Sequence, residues 1–272
     1  MEWTSLNIAH HITAPPNPLA IRKEFIPAAH CFPEHKHKWH QVVYATAGDL
    51  MVKTIEQSFL ISPKLQAVWL PAGTQHQVGS SQGAYFNSLW IANDAHNQFD
   101  MSEPTIFDVS PFLKALILEI SDRRINDEVY IEKLIQLILY HLGNVRSAQF
   151  ILPWPQNRSL VKICESLCEN PSDTRSQEEW CHELGMSGRT LSRRFTIETG
   201  MSLRSWKKRL RLMKAIELLD CGKGVTEIAI DLGYSSSSAF VYAFHLTMGH
   251  APLDYMKRRY WFYFINVTYL TH

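Results

Sequence analysis

Short apolar runs alternate with turn residues over about the first hundred positions. The runs QVVYATAG, DLMVKTI, QAVWLPAG and GAYFNSLWIAND are rich in Val, Tyr, Ile, Trp and Phe, and Gly, Pro, Asn or Asp closes each of them. Runs of this length and composition are typical of strands in an antiparallel sheet. We therefore predict that residues 1–107 form a small antiparallel β-barrel or sandwich.

The apolar spacing becomes helical from about residue 108. Ser110 and Pro111 form a good helix start. Apolar residues then recur at helical spacing at Phe112, Leu113, Leu116, Ile117 and Ile120, and again at Ile131, Leu134, Ile135, Ile138 and Leu139. We interpret residues 108–157 as a helical linker or dimerisation region, since the two stripes either pack on the β domain or meet a second copy of the chain.

A domain boundary is predicted between Gly143 and Asn157, because the prolines of LPWPQN disfavour helix. Beyond it the chain is predicted to be helical almost throughout. A short helix, Gln177 to Leu184, ends at Gly185, and a second helix begins after Ser187. A similar helix, turn and helix recur around Gly233. Together with the antiparallel β-structure predicted for the first domain, this all-α second domain gives the predicted fold class, α+β.

Composition describes a globular chain with room for two domains: it has 272 residues, of which 46% are hydrophobic and 19% charged. No apolar run reaches the roughly eighteen residues of a membrane span, and the N-terminus lacks a secretory pattern. We therefore expect a cytoplasmic protein with no membrane partner. The cysteines show no CxxC spacing, so we predict buried free thiols at Cys31, Cys164, Cys168, Cys181 and Cys221.

The net charge of +1 hides a basic segment. Residues 186–214 contain nine Lys and Arg against the single acid Glu198. In the helix after Ser187, Leu191 and Phe195 face inward, so Arg189, Ser192 and Arg193 share another face. Arginine suits guanine edges and hydroxyls suit phosphates or bases, and therefore the segment predicts binding to double-stranded DNA.

Residues 158–259 resemble the DNA-binding domain of the AraC/XylS family of bacterial transcription regulators. The matching stretches are LGMSGRTLSRRFTIETGMS, WKKRLRLMKAIELL, VTEIAIDLGYSSSSAFVYAF and MGHAPLDYMKRR. The resemblance implies two helix-turn-helix units, each with its second helix in a major groove, and RNA polymerase as a partner if the protein is an activator. It implies DNA-contacting residues at Ser187, Arg189, Thr190, Ser192, Arg193, Arg194, Arg204, Lys207, Lys208, Ser236, Ser237, Ser238 and Tyr242.

The second unit departs from the family pattern. No Lys or Arg occurs between Lys223 and Lys257, and Tyr242 stands where the family often has arginine. Fewer basic residues neutralise fewer phosphates, so we predict that the first unit dominates the affinity for DNA.

Candidate chemistry in the first domain lies in EHKHKWHQVVYATAG and LPAGTQH. On a strand, His35, His37 and Gln41 would share one face, and His76 follows a Pro/Gly turn. Three neutral imidazoles suit a divalent metal such as Ni, Zn or Fe. The alternative is a pocket for an organic effector, with Trp39, Tyr44, Trp69, Phe86 and Trp90 as candidate lining aromatics.

These residues resemble the two motifs of the cupin family, with His35, His37, Gln41 and Gly48 in the first and Pro71, Gly73 and His76 in the second. The resemblance implies a cupin-like barrel and a fourth metal ligand at position 41. Gln41 stands where that family has Glu, so a negative ligand is missing there.

The sequence thus predicts a bacterial regulator, not an enzyme, whose cupin-like domain senses a small molecule or metal and whose residues 158–259 bind a promoter. The promoter of a neighbouring transporter gene is one candidate target. Two alternatives stay open: a metal-dependent cupin enzyme, an oxygenase or isomerase, fused to a DNA-binding domain, and an effector-independent protein whose barrel only dimerises. The uncharged aromatic tail WFYFINVTYLTH has no assigned role.

Overall fold

The computed structural model describes residues 3–6, 16–95, 101–122, 126–148 and 150–258. The chain divides into two compact units, Glu2–Ile151 and Leu152–His272. This division lies within the Pro-containing segment 143–157. The aromatic tail after residue 260 lies outside the described residues.

The first unit is built mainly of β-strands. Its strands are β1 (Thr4–Ser5), β2 (Leu19–Ile26), β3 (His30–Cys31), β4 (His40–Ala47), β5 (Leu50–Thr54), β6 (Ser58–Ile61), β7 (Gln66–Leu70), β8 (His76–Ser80), β9 (Ala84–Ile91) and β10 (Thr105–Asp108). One sheet has the order β10-β7-β4-β9-β2, and the other contains β1-β3-β8-β5-β6. All neighbours pair antiparallel apart from the short parallel pair β1 and β3.

The predicted order, an antiparallel β region followed by helices, is confirmed. The described strands pair into two separate sheets, and no closure into one barrel occurs among them. An apolar core formed by both sheets includes Val43, Val52 and Val78. At the β4–β5 turn, Gly48 has a φ of +75°, and a Cβ there would lie 2.0 Å from the Gly83 carbonyl oxygen, so only glycine fits.

Two helices, α1 (Pro111–Ile120) and α2 (Glu128–Leu142), cover the other face of the five-stranded sheet. Ser110 caps α1 by accepting a hydrogen bond from the Leu113 N–H, and Pro111 occupies its first turn. The apolar stripes of both helices form a single core with the sheet, which includes Leu116, Leu134 and Ile138. Of the two predicted arrangements for these stripes, packing on the β unit is the one observed.

The second unit is helical. After the short strand β11 (Leu152–Pro153) it contains α3 (Arg158–Glu169), α4 (Gln177–Leu184), α5 (Gly188–Thr199), α6 (Leu203–Asp220), α7 (Val225–Asp231) and α8 (Ser237–Met248). A further helix covers 252–258. Its core includes Trp180, Phe195, Trp206, Phe240 and Phe244, each at most 2% exposed.

The prediction that all five cysteines are buried is wrong for two of them. Cys31, Cys164 and Cys168 are buried, whereas Cys181 is half-buried and Cys221 is exposed. Cys164 and Cys168 follow the apolar stripe of α3. Cys221 is the C-cap of α6, where the chain leaves the helix and turns outward.

Candidate functional site

The first helix-turn-helix consists of α4 and α5. Capping interactions at the helix ends determine where each helix begins and ends. Ser176 and Glu179 form a capping box at the start of α4. Gly185 ends that helix in the left-handed conformation, with a φ of +62°. Two residues later, the Ser187 Oγ accepts a hydrogen bond from the Thr190 N–H and starts α5.

One face of α5 is exposed and basic. Leu191 and Phe195 are fully buried, and Phe195 lies edge-on to Trp206 with ring centroids 6.2 Å apart. The opposite side, which we call the α5 face, is exposed at Arg189, Ser192, Arg193 and Arg194. The structure therefore presents three guanidinium groups on a helix whose inner side is fixed by aromatic packing.

A glutamine of α4 fixes the start of α5. The Gln177 Nε2 donates to the Gly188 carbonyl oxygen at 3.1 Å and to the Ser192 Oγ at 2.9 Å. No specific signal in the sequence identifies this residue, because its position opposite Ser192 depends on the angle between the two helices. Gln177 holds one of the predicted contact hydroxyls in place beside the arginines.

The basic residues of α6 divide into two groups. Arg204 is exposed and Lys208 is half-buried. Lys207 instead donates to the Asp173 carbonyl oxygen, and Arg211 donates to the Pro171 carbonyl oxygen at 2.7 Å. Burial lowers the pKa of both Lys207 and Arg211. These two cations hold the loop between α3 and α4 against α6.

That loop is organised around Arg175. Its guanidinium donates to the Asp173 carboxylate, to Glu183 and to Ser166, and its Cζ lies 3.6 Å from the ring centroid of Trp180. Burial raises the pKa of Asp173, but hydrogen bonds from Arg175 outweigh it, so the pKa lies below its usual value. The network ties α3, α4 and α6 together beneath the first helix-turn-helix.

The second helix-turn-helix consists of α7 and α8 and presents hydroxyls and an aromatic side chain. Ser236 caps α8 through a hydrogen bond from the Ala239 N–H, and Ser237 is bonded to Thr226 at 3.2 Å. Ser238 is exposed, and Tyr242 is 70% exposed. The residues predicted to contact DNA in this unit thus lie at the start and on the exposed side of α8, and none of them is a lysine or arginine.

In the first unit, His35, His37 and His76 come together in what we call the histidine cluster. One candidate ligand atom from each lies within 4.8 Å of the others. His76 is fully buried on β8, and an isolated β-bridge pairs it with His35. The prediction attributed the proximity of His35 and His37 to strand alternation, and this reason is wrong. β4 begins only at His40, so an irregular segment before it brings the two histidines together.

The three imidazoles share one hydrogen-bonding pattern. Each Nδ1 lies 2.7–2.9 Å from a backbone carbonyl oxygen two residues away: Pro33 for His35, Trp39 for His37 and Thr74 for His76. A carbonyl only accepts, so each Nδ1 carries the proton and each Nε2 offers a lone pair when the ring is neutral. Burial lowers the pKa of His35, which favours its neutral form.

Gln41 is attached to the cluster. Its side-chain amide lies 2.9 Å from the His37 Nε2 and donates to the Ser88 Oγ at 3.0 Å. The Gln41 Oε1 faces the His37 Nε2 while the Gln41 Nε2 is bonded to Ser88, so both ends of this amide are held. Gln41 thus positions His37 but supplies no negative charge.

A cavity of about 200 Å³ lies beside the cluster. Its lining residues are Glu24, Phe32, Pro33, His35, Lys36, His37, Trp39, Gln41, Val78, Phe86, Ser88 and Trp90. Strand register explains one wall of the cavity. Glu24 on β2 pairs with Phe86 on β9, and Gln41 on β4 pairs with Trp90 on β9. Because paired residues point to the same face of a sheet, the members of each pair line the cavity together. Burial raises the pKa of Glu24 to about 7, although the Arg22 charge opposes this.

Two of the aromatics predicted to line a pocket lie elsewhere. Trp39, Phe86 and Trp90 line the cavity, whereas Tyr44 and Trp69 belong to the core between the five-stranded sheet and the helices. The alternation of side chains along a strand explains why Tyr44 does not line the cavity. Tyr44 lies an odd number of residues from Gln41 along β4 and therefore points to the opposite face of the sheet.

A family profile described as "Helix-turn-helix domain" matches residues 180–258. The HTH-type transcriptional regulator NimR of Escherichia coli K12 is 29% identical over 231 residues, which cover 83% of this chain and 82% of NimR. The HTH-type transcriptional activator RhaR of Mannheimia succiniciproducens is 23% identical over 283 residues, covering 93% and 97%. The structure of ToxT from Vibrio cholerae matches with 14% identity and a TM-score of 0.37, over 88% of this chain and 98% of ToxT.

Among the described residues, no helix combines the length and apolar character needed to cross a bilayer. The relatives named above are regulators of transcription, and both match across most of this chain. The profile match begins at Trp180 in α4 and extends through the last described helix. It therefore covers both helix-turn-helix units and the basic helix α6 between them.

Proposed function

We propose that the chain is a transcription regulator of the AraC type, whose second unit reads a specific promoter sequence under the control of an effector bound by its first unit; a helix-turn-helix profile over residues 180–258 and relatives that regulate transcription support this. The observation that carries this proposal is the α5 face. Three exposed arginines and a fixed hydroxyl lie on the second helix of a helix-turn-helix, which is the helix that enters the major groove in such domains.

In this proposal Arg189 and Arg193 contact base edges, because a guanidinium can donate two parallel hydrogen bonds to guanine. Ser187, Thr190, Ser192, Arg194 and Arg204 contact phosphates or neighbouring bases. Lys208, one helical turn after Arg204 on α6, contacts phosphates together with it. Lys207 acts on DNA only indirectly, since its ammonium is bonded to the Asp173 carbonyl oxygen.

The test is binding of the purified full-length protein to a duplex from the region upstream of its own gene, followed by fluorescence anisotropy. We expect this duplex to bind more tightly than a scrambled duplex of equal length, and Arg193→Ala to reduce the difference. Arg146→Ala is the matched control, because it removes an exposed arginine from the first unit. Equal affinity for the two duplexes at every salt concentration would refute the proposal.

The effector site in this proposal is the cavity beside the histidine cluster. The cavity is lined by apolar rings with a few polar groups, as small-molecule sites commonly are. At about 200 Å³ it is smaller than the roughly 300–1,000 Å³ of drug-sized sites, so the effector is small. The effector acts by favouring one state of the DNA-binding unit over another.

A divalent metal is the second candidate effector, favoured by the shared hydrogen-bonding pattern of the three histidines. A metal-ligating histidine commonly donates its other ring N–H to a carbonyl, as His35, His37 and His76 all do here. These residues fit a three-histidine site for Zn, Ni or Fe once the His37 Nε2 exchanges its contact with the Gln41 side chain for the metal. Gln41 is neutral and engaged by Ser88, so the fit lacks a charged fourth ligand.

Calorimetric titration with Zn²⁺ and Ni²⁺ tests the metal candidate. We expect binding that His35→Gln and His37→Gln abolish. The control is His30→Gln, because the His30 Nδ1 is likewise 2.7 Å from a backbone carbonyl oxygen but this histidine lies outside the cluster. Binding that survives both cluster variants would exclude the site.

Two further partners belong to the proposal: RNA polymerase if the protein activates transcription, and a second copy of the chain. The outer side of α2 supports pairing, since Val129 and Tyr140 are each about 60% exposed there and Leu137 is 42% exposed. Sedimentation analysis tests it. We expect Leu137→Asp to convert a dimer into a monomer, and a wild-type monomer at every concentration would refute pairing.

A further inference from the structure

The most unusual group in the cavity is the carboxylate of Glu24. Its side chain is only 7% exposed, although it belongs to β2 at the edge of its sheet. Its Oε1 accepts no hydrogen bond from the described residues. The nearest cation is Arg22, whose Nε lies 3.9 Å away, beyond hydrogen-bonding distance.

A buried carboxylate oxygen without a donor is costly, because an acceptor removed from water needs a replacement partner. The cavity surrounds Glu24 with space into which a partner fits. The Trp39 Nε1, on the same cavity, is also buried and has no acceptor within the described part of the chain. Of these two groups, the Glu24 oxygen is the one that a ligand with N–H donors can satisfy, so the choice of ligand rests on Glu24.

The walls determine which kind of donor suits this place. Phe32, Phe86 and Trp90 are each at most 5% exposed and line the cavity together with Trp39. Phe32 and Phe86 meet edge to face, with centroids 6.0 Å apart. Aromatic faces carry negative electrostatic potential and attract cations, and a carboxylate among them adds to the attraction.

The positive groups nearby leave room for a cation. Lys36 is exposed, and its charge is therefore screened by solvent. Although Glu24 alone has a pKa raised to about 7, a bound cation would favour its ionised form.

We propose that the cavity binds a small organic cation, an amine or amidine carried on a single apolar ring, through the Glu24 carboxylate and the surrounding aromatic side chains. This inference rests on the proposed sensing function and specifies the chemical class of its effector. The volume of about 200 Å³ accommodates one ring with a short substituent.

The test uses benzylamine and its neutral analogue benzyl alcohol, titrated calorimetrically into the full-length protein at pH 7.5, with a chelator present to remove metal ions. We expect benzylamine to bind at least about tenfold more tightly than the alcohol, and Glu24→Gln to remove this preference. Glu34→Gln is the matched control, because Glu34 is an exposed carboxylate near the cavity that does not line it.

Three results overturn the inference: the two probes bind equally, neither binds, or Glu24→Gln keeps the preference. Circular dichroism and operator binding by the same preparations show that each variant is folded. If benzylamine fails to bind while operator binding persists, the effector class is wrong and the DNA-binding function stands. If operator binding fails instead, the proposed function itself is wrong, whichever probe binds.

Discussion

Glu24 makes the stability of the first unit depend on pH. Its pKa is about 7 in the folded chain, against 4.5 ordinarily, so the folded state holds this proton more tightly than the unfolded state does. The free energy of unfolding therefore decreases as pH rises from about 4.5 to about 7, and the ionised carboxylate remains a cost above that range.

We accordingly expect Glu24→Gln to stabilise the protein at pH 8, by at most about 3 kcal/mol given roughly 1.4 kcal/mol per pKa unit, and to change its stability little at pH 4.5. Urea unfolding at the two pH values measures this. Glu34→Gln, on the surface, serves as the control. A stability change of equal size at both pH values would contradict burial of the ionised carboxylate as its cause.

The two recognition helices differ at single residues, and this difference predicts unequal contributions to DNA binding. Loss of an arginine that contacts a guanine costs roughly 1–3 kcal/mol, so Arg193→Ala should weaken operator binding by about 5- to 150-fold. Tyr242→Ala removes no charge and should cost less. Anisotropy titrations of both variants at one salt concentration decide the ranking, and equal losses would show it to be wrong.

Some residues at the cavity could be predicted from the sequence, and others could not. The histidines and Gln41 were predicted as one group from strand alternation, which is wrong for His35 and His37, and from the resemblance to the cupin motifs. Glu24 could not be predicted, because LAIRKEFI gives no sign that this particular charge points inward. Its position follows from the pairing of Glu24 with Phe86, and strand register depends on contacts distant in sequence.

At the scale of elements, the helices were the more predictable part. The bounds of α4 follow from capping signals that act over a few residues, and the predicted helix Gln177 to Leu184 is confirmed. The strands β2, β6, β8 and β10 were not specified individually. Each is short or interrupted by polar residues, as with Arg22 and Lys23 in β2, so local composition alone does not distinguish it from loop.

The basic helix α6 shows a second limit of sequence reasoning. Its charges are evident in the sequence, but their partners are not. Lys207 and Arg211 bond to carbonyl oxygens of the loop before α4, and only the packing of α6 against that loop distinguishes them from the exposed Arg204. A run of positive charge thus contains both exposed residues, which are the candidates for DNA contact, and residues that support the scaffold.

The Arg175 network should contribute measurably to the stability of the second unit. Arg175→Ala leaves the Asp173 carboxylate, whose side chain is 7% exposed, without its principal donor. We expect a loss of about 2 kcal/mol in the free energy of unfolding, since breaking a buried ion pair leaves a charge uncompensated. Arg193→Ala, which removes an exposed arginine, should change the unfolding midpoint little in the same urea titration.

For the whole molecule, regulation requires that the effector and the operator influence each other's binding. If the effector changes operator affinity by some factor, the operator must change effector affinity by the same factor. We expect titrations of benzylamine with and without operator duplex to differ by about 5- to 150-fold, the usual range of such coupling. Glu24→Gln should remove the difference while leaving DNA binding intact.

For a single effector site, benzylamine cannot change the affinity for operator unless operator changes the affinity for benzylamine. If only the affinity for operator changed, benzylamine would have to act at a second site. Unchanged affinities on both sides would mean that the cavity is not coupled to DNA binding. Arg193→Ala provides the complementary control, since it should lower operator affinity without altering the binding of benzylamine to the free protein.

The chain enters the second unit through residues that are bonded to the first helix-turn-helix and its supporting helix. The Glu198 carboxylate at the end of α5 accepts hydrogen bonds from the Gln156 and Asn157 N–H groups at 2.8 Å, and the Trp206 indole of α6 donates to the Pro153 carbonyl oxygen at 2.7 Å. A displacement of the chain at residue 151 would therefore act on α5, which carries the arginines, before it acted on α8. If the first helix-turn-helix contributes more of the affinity for DNA, as predicted, the connecting peptide is bonded directly to the unit that matters most for operator binding.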